Sequence, residues 1–120
     1  MNLKGHWDKM SKIAIINGDV EIGELEARLK DKGYTVDFLD ENINLSNQNF
    51  DLYLVQIELW SQNASLMLNL PRRQWIGYTN QPTIQSARSA LLAGAQDYAS
   101  TENGTNLLYT YIMDYFWGPI

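Results

Sequence analysis

The chain contains no cysteine and a single histidine, His6. The first absence excludes disulfides, thiolate nucleophiles and cysteine metal sites together, and it suits a reducing, cytoplasmic setting. The second excludes histidine pairs and triads, and His6 reads as a surface or tail residue. No apolar run approaches the roughly 18 residues of a membrane span, and the opening MNLKGHWDK lacks the apolar core of a secretory signal. No basic residue follows Arg88, and residues 89–120 carry only Asp97, Glu102 and Asp114 as charges. With 14 acidic against 9 basic residues and a formal net charge of -5, such a surface repels phosphate backbones and anionic lipid. Neither direct nucleic-acid binding nor membrane binding is expected.

What is present suits one domain: 120 residues, 45% of them hydrophobic, fill one real core and leave no room for a second. KIAII (12–16) is a β-branched apolar run that ends in the turn residues NGD. Asp19 follows as a helix cap, and Ile22, Leu25 and Leu29 recur at helical spacing up to Gly33. YTVDFL (34–39) is a second strand, the polar stretch 40–49 holds at most a short helix, and the apolar run 52–57 is a strand buried on both faces. A short helix over 61–70, closed by Pro71, a fourth strand at 74–79 and a helix from Thr83 marked by Ile84, Ala87 and Leu91 come next. DYAS (97–100) is then a short strand, and Leu108, Ile112 and Tyr115 mark a last helix.

Five such alternations predict an α/β fold, a five-stranded parallel sheet wound with helices on both faces, over residues 12–117. Residues 1–11 read as an N-terminal extension and 118–120 as a tail or the start of a linker. In this architecture chemistry gathers at the carboxyl ends of the strands. That points to Asn17, Gly18 and Asp19, then Gln56 and Glu58, Thr79 and Asn80, and Ser100 and Thr101.

The chain resembles the receiver domain of bacterial response regulators. MSKIAIINGD is similar to that family's first strand, FDLYLVQIEL to its third, WIGYTN to its fourth, and ALLAGAQDYAS to its passage from fourth helix to fifth strand. The resemblance implies a (βα)5 fold of receiver or flavodoxin type. It also implies an acidic pair for Mg²⁺, a phosphoacceptor aspartate and a lysine, but those places hold Asn17 and Gly18, Gln56 and Thr101. Thr79 matches the hydroxyl that senses the phosphoryl group, and Tyr98 the aromatic switch. Phosphoryl transfer to a carboxylate needs a carboxylate nucleophile and a hard cation held by oxygen ligands. A glutamine amide is a poor nucleophile, and Asn17 with Gly18 brings no negative charge. The resemblance therefore implies a degenerate, pseudo-receiver member: no catalytic residue, no metal, no cofactor, and a pocket of neutral hydrogen bonds among Asn17, Gln56 and Thr79.

Other readings of these residues stand beside this one. Asp19 and Glu58 form either a shifted metal site or, more simply, a helix cap and a solvated loop acid. A receiver phosphorylated instead at Asp19 or Asp51 is a further alternative, as is a flavodoxin-like cofactor domain, although INGDVEIG is no glycine-rich phosphate loop. The last helix carries Tyr109, Tyr111, Tyr115, Phe116 and Trp117. One helix buries roughly a 100° stripe, so an exposed aromatic surface is expected there. The resemblance places a protein partner or a homodimer on the face made by the fourth helix, fifth strand and fifth helix. Its residues here are Ile84, Arg88, Leu91, Tyr98, Leu108, Tyr111 and Tyr115, and the function expected is phosphorylation-independent control of an output domain in transcription or two-component signalling. In a rival register DYFWGPI (114–120) supplies the fifth strand.

Overall fold

The computed structural model describes residues 11–16, 22–40, 49–59 and 69–118. Strands β1 (Lys12–Ile16), β2 (Thr35–Leu39), β3 (Leu52–Gln56), β4 (Trp75–Thr79) and β5 (Asp97–Ser100) form one sheet in the order β2-β1-β3-β4-β5. Every neighbouring pair is parallel. Three α-helices are described, α1 (Ile22–Asp31), α2 (Ile84–Leu92) and α3 (Asn106–Trp117), with one 3₁₀ turn at Ile57–Leu59. The parallel α/β sheet expected from the alternation is therefore present, and β5 is DYAS, not the 114–120 segment, which forms the end of α3 up to Trp117. The short helix read into 61–70 and the stretch 40–49 fall almost wholly outside the described residues. None of the described helices is long and apolar enough to cross a membrane.

Alternation along the strands divides the core between two faces. Ile13 and Ile15, Leu52 and Leu54, Ile76 and Tyr78, and Ala99 pack with Leu25 and Leu29 of α1 and with Leu108, Ile112 and Phe116 of α3. Ala14 and Ile16, Tyr53 and Val55, and Trp75 point the other way and pack with Ala90 of α2. Strands buried on both faces need uninterrupted apolar runs, as KIAII and LYLVQ supply. Ile22, Leu25 and Leu29 of α1 are each buried, which stabilises by about 1.5–3 kcal/mol per side chain. Gly33, at φ 97°, ends that helix, with the Tyr34 amide returning to the Leu29 carbonyl at 3.2 Å.

The amino end of the sheet is closed by Asp51. Its Oδ2 accepts the Lys12 N–H at 2.8 Å, its own N–H donates to the Lys12 carbonyl at 2.9 Å, and its carbonyl accepts the Tyr115 hydroxyl at 2.7 Å. Nearby, Trp117 Nε1 donates to Tyr34 Oη at 2.9 Å, and the Tyr34 and Phe116 rings stand 4.9 Å apart. Higher on the same face Arg28 lies 3.7 Å over the Tyr109 ring and donates to Asn106 Oδ1 at 2.8 Å, tying α1 to α3.

These contacts correct the expected aromatic surface on the last helix. Tyr109, Tyr111, Tyr115 and Trp117 pack against the core cluster beneath α3, because polar partners at its two ends let tyrosine and tryptophan lie down on the sheet. Leu108, expected on the interaction face, is fully buried, since it faces the sheet together with Ile112. Among the described residues most of the exposed large apolar side chains lie instead on α2, with Phe38 of β2 exposed as well. There only Ala90 is buried, while Ile84 is 90% exposed, Leu92 75% and Leu91 50%, and Leu107 of α3 is also exposed.

Candidate functional site

The carboxyl ends of β3, β4 and β5 lie side by side in the sheet. Gln56, half-buried, closes β3 opposite Tyr78, and the chain turns at once into the 3₁₀ segment that carries Glu58. The turn is accommodated by Gly77. A Cβ there would stand 2.6 Å from Ile57 Cδ1, so the missing side chain is what lets Ile57 lie across β4.

Glu58 turns inward, to the end of β4. Thr79, 1% exposed, donates its hydroxyl proton to Glu58 Oε2 at 2.5 Å, and Oε1 of the same carboxylate is also shielded from solvent. The distance belongs to the short class of hydrogen bonds made to a carboxylate. Thr79 Oγ1 accepts the Gln81 N–H at 3.0 Å, and the Thr79 carbonyl accepts the Thr101 N–H at 2.8 Å. Thr101, just past the end of β5, is buried. Glu58, Thr79 and Thr101 are thus brought together from three strand ends, with Gln56 beside them on β3. Asn17, Gly18 and Asp19 lie outside the described residues.

The reading of Glu58 as a solvated loop acid is corrected by this geometry. Residue 58 lies in the 3₁₀ turn beyond the end of β3, where the alternation of a strand no longer says which way a side chain points. Among the described residues no group of three or more His, Cys, Asp or Glu is placed to hold a metal ion.

Asp51, the other aspartate weighed as a phosphoacceptor, sits at the opposite end of β3 with a side-chain oxygen committed to the Lys12 amide. Next to Thr101 a shallow hollow of about 220 Å³ is lined by Glu24, Glu102, Gly104 and Thr105. Its two carboxylates repel the phosphate groups that a nucleotide or flavin phosphate would bring.

Tyr98 lies on the far side of β5 from Ala99, half-buried beside α2. Its hydroxyl stands 2.6 Å from Ser86 Oγ and accepts the Thr83 N–H at 3.3 Å. Thr83 is the N-cap of α2 and forms a reciprocal capping box with Ser86. The segment from Thr79 to Thr83 is therefore fastened at both ends, to Thr79 Oγ1 and to Tyr98 Oη.

No family model and no curated protein matches the chain. Solved structures do. A receiver domain protein from Methanospirillum hungatei is 21% identical, with 88% of this chain and 93% of that one covered at a TM-score of 0.63. A response regulator from Thermotoga maritima is 12% identical over 88% and 97% of the two chains, with a TM-score of 0.71. An orphan response regulator of H. pylori is 19% identical over 90% and 98%, with a TM-score of 0.60. At these identities the likeness is one of architecture: the chain has the fold of response-regulator receiver domains.

Proposed function

We propose that the chain is a receiver-like signalling module that works through protein contact and does not depend on phosphorylation at the end of β3. The observation that carries this reading is what stands at these strand ends: an amide at residue 56 and a threonine hydroxyl already given to Glu58. Neither supports transfer of a phosphoryl group, which requires a nucleophilic carboxylate and a free set of donors around the transferred oxygens. The module is not an enzyme on this reading. Its output is a conformation, offered to a second copy or to another protein of a two-component or transcription-regulating system.

The contact face is assigned to α2, β5 and α3, the places of the family's fourth helix, fifth strand and fifth helix. Support comes from α2, a nine-residue helix with one buried side chain, which presents Ile84, Leu91 and Leu92 around Arg88. Leu107 continues the surface on α3. A specific interface there needs about 1,000 Å² or more of total buried area.

Two measurements test the proposal. Sedimentation or light scattering of the wild type is expected to report a dimer, or a captured regulatory partner, lost on Leu92→Glu and Ile84→Glu with the fold intact. Incubation with Mg²⁺ and acetyl phosphate is expected to add no mass. A stable phosphoryl adduct, or a monomer whose associations ignore both α2 variants, overturns the reading.

A further inference from the structure

Thr79 has one hydroxyl proton, and it goes to Glu58 Oε2 at 2.5 Å. Fixing that proton also fixes the direction of the oxygen's lone pairs, one of which takes the Gln81 N–H at 3.0 Å. Chained bonds of this kind polarise one another. From Gln81 the chain passes through Pro82 to Thr83, whose N–H meets Tyr98 Oη and whose side chain caps α2. Only exposed residues lie between the two anchors, so the start of α2 is positioned by Thr79 on one side and Tyr98 on the other.

We infer that Glu58 is a built-in anionic ligand of Thr79. Its carboxylate fills the position in which the threonine hydroxyl would otherwise hold an external oxyanion at the end of β3, and by holding Thr79 it sets the 80–82 segment and the first turn of α2. An incoming phosphate would meet a donor already engaged and a negative charge within hydrogen-bond distance of it. The inference rests on the interaction-module reading only for what α2 presents; the coupling from Glu58 to α2 stands or falls separately.

The test is amide NMR of the full chain with Glu58→Ala, Glu58→Gln, Thr79→Val and the Glu58→Ala/Thr79→Val pair. Glu58→Ala is expected to move the amides of Gln81, Thr83 and the first turn of α2, and to speed their hydrogen exchange about tenfold, as the loss of one such hydrogen bond implies. Thr79→Val should move the same set more strongly, since it also removes the acceptor of the Gln81 N–H, and adding Glu58→Ala to it should change nothing further, because Glu58 acts through Thr79. Glu58→Gln keeps an acceptor oxygen and should move these amides less. It also carries the comparison if the alanine variant does not fold. Inorganic phosphate added to the wild type should leave the Thr79 and Gln81 amides in place.

Shifts confined to 56–59 and 79, additive effects of the two substitutions, or a wild-type response to phosphate at Thr79 would each overturn the inference. Self-association measured on the same samples separates the two ideas. Unmoved α2 amides in a protein that still associates through α2 sink the coupling alone, while moved amides in a protein that associates with nothing sink the module reading alone.

Discussion

Tyr98 Oη lies 2.6 Å from Ser86 Oγ, so a tyrosine on β5 joins the capping box that starts α2. A helix with only Ala90 buried draws little stability from packing, and its position rests heavily on its first turn. Ser86→Ala removes both the reciprocal bond to Thr83 and the tyrosine's partner. The expected cost is about 1 kcal/mol in urea unfolding. Tyr98→Phe should cost about 0.5–1.5 kcal/mol, and the two changes together less than their sum. Full additivity would show that the tyrosine and the cap are independent.

Tyr115 is tied into the fold by its hydroxyl, which donates to the Asp51 carbonyl at 2.7 Å. Tyr115→Phe is expected to lose about 1 kcal/mol through its bond to the Asp51 carbonyl. Tyr115→Asp places a carboxylate beside Asp51 and should unfold a substantial fraction of the protein. Burial first, and the Asp51 charge after it, raise the phenol above its ordinary range. A raised tyrosine holds its proton in the folded state after the unfolded chain has lost it. Stability attributable to this group therefore falls as pH rises from the ordinary tyrosine range through the raised value. Ultraviolet titration with unfolding at several alkaline pH values checks both the direction and the window; a phenol ionising at or below its ordinary range contradicts it.

Gly77→Ala tests the turn that delivers Glu58. The new methyl meets Ile57 Cδ1 at 2.6 Å, and that side-chain tip must swing away. A loss of about 1–3 kcal/mol is expected from overpacking, together with movement of the Gln81 amide as the 57–59 turn shifts. Destabilisation without any effect at Gln81 would mean that Glu58 follows Thr79 and not its own turn.

Asp97 begins β5 with its carboxyl raised, by burial foremost and then by the charge of Asp114. The folded state therefore binds a proton at pH values where the unfolded chain has released it. This contribution falls as pH rises from the ordinary aspartate range through the raised value, and is a fixed penalty above it. Asp97→Asn is expected to stabilise at neutral pH, with the gain disappearing in acid below the ordinary range. An equal effect at both ends of a pH series of unfolding curves would rule out titration as its source.

Much of this architecture was legible because burial on both faces writes itself as apolar runs. KIAII and DYAS match the strand limits, and Ile22, Leu25 and Leu29 mark the buried face of α1. On α2 the pattern located the helix, and Ile84 and Leu91, read as part of an interaction face, do point to solvent, while small Ala90 is what fits against the sheet. The aromatic run of α3 misled, since tyrosine and tryptophan find polar partners while lying on a core. At the carboxyl ends of the strands, the identities at 56, 79 and 101 were readable, but the Glu58–Thr79 bond was not. It depends on a three-residue 3₁₀ turn that local sequence does not announce, and on the space left by Gly77, 19 positions further along.

Asp51 gathers β1, β3 and the last turn of α3 at one end of the sheet, across separations of 39 and 64 residues. Closing such distant segments costs loop entropy before it returns any contact energy. No early fragment of the chain holds this knot, so the docking of α3 should be a late event in folding.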